Sequence, residues 1–248
     1  MPSLSELVAE SARKKIDLSK ARLRPEHFYA SLPLCVVDAV FSIGVKYKGT
    51  TQTVIRWAKA QKPEWPIYER GASLEHTISE FVQAMSPFTA DELAEFIFEN
   101  RQRTSTKSGI LKAEAVRQFA LALKAAGIER FSDIQNAEKL EKAETLIKKN
   151  KGQSSGVSFD YFTLLAGNQM VKADRMIVRF VAEAAGGKNV SPREAKEATI
   201  GAARILQTEY PHVDTRLLDS EVWGYESAKA AGLAKTRRGY KSKSTASE

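Results

Sequence analysis

"GVSFDYFTLLAGNQMVKADRMIVRF", Gly156 to Phe180, decides how this chain is read. Its first half sets apolar residues at helical spacing behind a glycine. Its second half delivers a carboxylate, Asp174, just before another apolar helical run. An Asp in that place can cap a helix, accepting from the amides of Arg175 to Ile177. It can also be an acid held rigidly for chemistry. Immediately upstream, "TLIKKNKGQSSGVS", 145–158, ends one helix in Lys148, Lys149 and Lys151. It then turns through Gly152, Ser154, Ser155 and Gly156, and a new helix begins near Ser158. A tight glycine-bearing turn of this kind exposes successive N–H groups at a helix N-terminus, which suits a phosphate. The alternative is an ordinary helix–helix loop with solvated lysines.

Helical spacing extends outward along nearly the whole chain. Val36, Val40, Ile43 and Tyr47 share a face, as do Leu93, Phe96 and Ile97, and Val116, Phe119, Ala120 and Leu123. "TADE" (89–92) and "SPRE" (191–194) read as capping boxes, and Gly127 and the Gly186–Gly187 pair as helix stops. Alternating strand patterns of useful length are missing. The expectation is an all-α protein of ten or more helices, packed as one compact helical domain over 1–233, with two lobes.

Composition limits the functions open to it. With 248 residues and 43% hydrophobic content the chain can bury a proper core. No stretch approaches the length of a membrane span, and the opening "MPSLSELVAESARKK" reads as an amphipathic helix rather than a secretory signal. The expected location is therefore the cytoplasm. One cysteine, Cys35, excludes a disulfide framework and a cysteine-rich metal or iron–sulfur site. His27, His76 and His212 lack metal-ligand spacing, so no metal or cofactor is expected. The net charge of +8 favours a polyanionic partner, and half of it lies in the last fourteen residues, "KTRRGYKSKSTASE". Residues 234–248 read as a basic disordered tail, either solubilising or touching phosphates.

"GQSSGVSFDYFTLLAG" followed by "VKADRMIVRF" resembles the helix-hairpin-helix (HhH-GPD) DNA glycosylase superfamily, which includes the endonuclease III and alkyladenine glycosylases. The hairpin would occupy about 140–168, and Asp174, Ile177, Arg179 and Phe180 fall in register with the family's run around its acid. Residues 34–57 look like its early helix, with Ser42 matching and Gly44 where Gln is usual. "GILKAEAVRQFALAL", 109–123, looks like its later Lys-Ala-Glu helix. The resemblance covers about 30–185. The departures are Gly-Val-Ser for Gly-Val-Gly in the hairpin, Asp160 where lyase members carry Lys, a stretch from hairpin to Asp174 a few residues shorter than the family's, and no iron–sulfur loop.

The resemblance implies a monofunctional DNA glycosylase, a monomer acting on double-stranded DNA, near the nucleoid if bacterial. It would cut the N-glycosidic bond of a damaged or modified base and leave an abasic site. Base departure builds positive charge on the sugar, and one carboxylate can stabilise that charge and orient water. Asp174 takes that role, with Asp160 as a possible second acid. A lyase would also need an amine nucleophile. Lys149, Lys151, Gly152, Ser154, Ser155, Gly156, Ser158 and Lys112 are the expected DNA contacts. Ser42, Lys46, Tyr47 and Phe159 are candidates for the base pocket or the duplex wedge. Tyr161 and Phe162 are further aromatics, Phe162 better placed as core. Trp223 and Tyr225 read as packing residues, and Asp38 as a structural or exposed residue in the polar stripe of its helix. Two other functions fit the same residues: a non-catalytic DNA-binding protein of this fold, in which Asp174 only caps, and a helical protein-interaction domain.

Overall fold

The computed structural model describes residues 2–44, 48–61, 66–68, 71 and 75–232. Among these the chain is all-helical. The α-helices are α1 (Leu4–Lys15), α2 (Leu32–Phe41), α3 (Lys48–Gln61), α4 (Ile78–Met85), α5 (Ala90–Glu92), α6 (Lys112–Ala125), α7 (Ala137–Lys148), α8 (Val157–Leu165), α9 (Arg175–Ala184), α10 (Pro192–Leu206) and α11 (Thr215–Ala230). The described residues form no strand, and their isolated antiparallel bridge joins Arg103 to Leu111. None of their helices is long and apolar enough to cross a membrane. The chain divides into two compact units, residues 24–170 and residues 1–23 with 171–248.

The 24–170 unit is built around α2, against which α3, α4, α6 and α8 pack. All ten residues of α2 are buried. The single apolar face read from the sequence is therefore corrected: a helix surrounded by others is buried on every side, so its pattern carries no stripe. Asp38 is buried with it, accepting from Tyr29 Oη at 2.8 Å and from Ser42 Oγ at 2.8 Å. Phe41, Trp57, Phe81 and Phe98 form an aromatic cluster with ring centroids 4.7–5.5 Å apart. Thr89 and Glu92 make the expected capping box. Past it, Leu93–Ile97 winds as a π-turn, closed by Phe98 N–H donating to Leu93 O at 2.9 Å. The wider turn breaks the 3.6-residue register, so Phe96, expected on the buried face, is 70% exposed.

The second unit joins the two ends of the chain. Helix α1 packs on α10 and α9, and α9 packs on α11. Val8, Ala12, Ile177, Phe180, Ala202, Leu206 and Leu218 fill its core. Ser191 and Glu194 make the expected capping box with Pro192 in the first turn. Helix α9 stops before Gly186 and Gly187, at φ 73° and 85°, a conformation open to glycine without a Cβ penalty.

Candidate functional site

Asp174 is the N-cap of α9. Its Oδ1 accepts from the amides of Met176 at 2.8 Å and Ile177 at 3.4 Å. Its Oδ2 accepts from the Trp223 indole N–H at 3.2 Å. The residue is half-buried, so the carboxylate is fixed and still within reach of solvent. Helix α11 supports it twice. One turn before Trp223, buried Asp219 accepts from the Lys172 amide at 2.9 Å and so orients the extended segment that leads into Asp174. Two side chains at i and i+4 on one helix thus hold the acid and the backbone before it. Neither was foreseen. Trp223 is not simply a packing residue, and its partner lies 49 positions away, beyond any local pattern. Lys172 and exposed Arg175 flank Asp174 in the sequence.

In the other unit, α7, a turn and α8 occupy the stretch where the hairpin was expected. Gly152 and Gly156 both sit in the left-handed region, at φ 85° and 76°. A Cβ on Gly152 would lie 2.4 Å from Thr104 Oγ1, so glycine is required there for space as well as for conformation. Buried Gln153 anchors the turn. Its amide donates to Ala115 O in α6 at 3.3 Å, and its Oε1 accepts from Ser158 Oγ at 3.0 Å. The N-cap of α8 is Gly156, which has no side chain to offer, so no side chain caps the amides of Val157, Ser158 and Phe159. Lys149, Lys151, Gly152, Ser154 and Ser155 are the exposed rim beside them.

Other expected contacts are corrected. Lys112 is 0% exposed. Its ammonium donates to Phe41 O at 2.8 Å, Ile43 O at 2.7 Å and Gln102 Oε1 at 3.0 Å. All three protons are used inside the protein, so Lys112 has none for a phosphate. Instead it caps the C-terminal end of α2, with burial pushing its pKa down to about 8. The Ser158 hydroxyl turns inward to Gln153 and leaves only its backbone for an anion. Phe159 is buried against Phe162, with centroids 6.3 Å apart, and cannot wedge a duplex without leaving the core. Ser42 gives its hydroxyl to Asp38. Asp160 lies half-buried in the first turn of α8. Lys46, Tyr47 and the basic tail fall outside the described residues.

Near Asp174's own helix lies a carboxylate the sequence did not suggest. Glu226 on α11 is 0% exposed, and neither of its oxygens has a hydrogen-bond partner. Arg179 Nη1 and Lys229 Nζ stand 3.7 Å and 3.9 Å away. Burial raises its pKa, and Lys229 opposes the rise. Lys229 is itself bonded to Glu183, which also accepts from Lys15 at 3.3 Å. Among the described residues no three His, Cys, Asp or Glu gather as a metal site.

No curated protein and no solved structure matches this sequence. One family model does match, over residues 5–227, which takes in both units, the hairpin and Asp174. The chain therefore belongs to the family described as "Domain of unknown function (DUF8548)".

Proposed function

We propose that the protein is a DNA N-glycosylase of the helix-hairpin-helix type, which hydrolyses the bond between a modified base and its sugar. The observation that carries this reading is the α7–α8 hairpin. Two left-handed glycines, a helix start without a side-chain cap and exposed Lys149 and Lys151 together form an anion-binding turn of a kind that suits a DNA backbone. Asp174 supplies the chemistry. As the C1′–N bond breaks, its electron pair leaves with the base, and positive charge builds on the sugar. The Asp174 carboxylate, fixed by two amides and Trp223, stabilises that charge. Water then bonds to C1′ and gives a proton to the carboxylate, which returns it through solvent to the departed base, leaving an abasic site and the free base. Because residue 160 is Asp, the hairpin offers no amine there for strand cleavage.

The test is single-turnover cleavage of a panel of duplexes carrying alkylated, deaminated or oxidised bases, with abasic sites revealed by alkali. Wild type releases a base from at least one duplex, with strand breaks only after alkali. Asp174→Asn lowers that rate by roughly 100-fold or more. Equal rates for the two proteins remove Asp174 from the chemistry. A second reading, a non-catalytic DNA-binding protein, is favoured by one observation: both Asp174 oxygens already serve as acceptors within the fold. Salt-sensitive duplex binding with no base released from the whole panel establishes that reading instead.

A further inference from the structure

In the 24–170 unit, the N-terminus of α2 opens on a cleft of about 230 Å³. Ser31 is the N-cap of this ten-residue helix, yet its side chain makes no capping bond. The sequence explains why. An N-cap hydroxyl accepts from the second or third helical amide, and the second residue here is Pro33, which has none. Ser31 is only 4% exposed, and its hydroxyl is not spent on capping the helix. It faces the cleft, as does Leu34, the third helical residue, whose amide no side chain caps. A helix-end amide that no side chain caps is left to water or to a ligand.

The walls are apolar. Trp57 and Phe81 line the cleft in T-shaped contact, with centroids 4.7 Å apart, and Ala58 and Ala84 leave space between them. Glu80 also lines the cleft, and its carboxylate already has partners on its own helix start. The Glu80 carboxylate accepts from the Thr77 amide at 2.8 Å and the Thr77 hydroxyl at 2.9 Å, and His76 Nδ1 stands 3.6 Å from the same oxygen. A cavity of about 150 Å³ suffices for benzene, so this cleft has room for one ring and a small substituent.

We infer that this cleft binds a small molecule made of a single aromatic ring bearing an oxygen acceptor. The ring lies against Trp57 and Phe81, and the oxygen accepts from Ser31 Oγ and the Leu34 amide. Benzoate and benzamide are suitable probes, because they share the ring and the acceptor and differ in charge. Each is titrated into the full-length chain and followed by ligand-observed NMR. At least one binds saturably, and the stronger of the two identifies the acceptor as carboxylate or amide carbonyl. Ser31→Ala, which breaks no capping bond, weakens binding at least threefold, and Ala84→Leu, which fills the cleft, abolishes it. Thermal melts of both variants verify the fold. If neither probe binds, or if Ser31→Ala and Ala84→Leu bind as wild type does, the assignment is overturned.

Discussion

At Lys112 an ammonium that is 0% exposed gives all three protons to Phe41 O, Ile43 O and Gln102 Oε1. Two of those acceptors are carbonyls at the end of α2, which would otherwise be orphaned. Lys112→Met strands them in a buried site, at a cost of about 2–4 kcal/mol. The pH dependence has a definite sign. The pKa is lowered from 10.5 to about 8, so the folded state favours the neutral amine. Between those values the unfolded chain holds a proton that the folded one has released, and the lysine's contribution to stability rises with pH. Below about 8 the contribution is level. Denaturant unfolding at pH 7 and pH 9.5 therefore shows a wild-type-minus-variant gap that is larger at pH 9.5, and a gap that narrows with pH contradicts the account. From the sequence, Lys112 is one more lysine opening a helix. Only the packing of α6 against α2 shows where its ammonium ends.

Element by element, the features visible in the sequence are those set by neighbours three or four positions apart. The capping boxes at Thr89 and Ser191, the stop at Gly186 and the Asp174 cap all formed where the spacing put them. What remained hidden depends on distant partners: the all-round burial of α2, the Gln153 anchor to α6 and the indole of Trp223 on Asp174. The π-turn at Leu93–Ile97 is local but breaks the period on which the reading relied. Two glycines separate the two kinds of cause. Gly152 and Gly186 both have positive φ, at 85° and 73°. A Cβ on Gly186 meets nothing within 4 Å, whereas on Gly152 it would strike Thr104. Gly186→Ala therefore carries the backbone cost alone, about 1–2 kcal/mol. Gly152→Ala adds overpacking, for a total of roughly 2–4 kcal/mol. Chemical denaturation of the two variants measures the difference, and equal costs would mean that Thr104 yields freely.

Over the whole molecule, two parts of the positive charge predict different DNA binding. Half of the net charge of +8 lies in the last fourteen residues, a concentration of charge suited to sequence-independent attraction to any polyanion. The hairpin contributes few cations, but they sit beside a helix start that no side chain caps. Each phosphate neutralised steepens the fall of log K with log salt by about 0.9 in duplex DNA. Replacing Lys149 and Lys151 together by Ala should lower the slope by about 2 if both ammonium groups meet phosphates. Deleting 234–248 should lower it by up to about 4, through non-specific contact alone. The two changes act on separate stretches and should therefore add. The decisive comparison is the tail-deleted protein with and without the lysine pair, by fluorescence anisotropy on a duplex over a range of salt. Residual salt-dependent binding that falls with loss of the pair places DNA on the hairpin. If deleting the tail leaves no binding at all, the hairpin is only a turn, and the DNA reading loses the observation on which it rests.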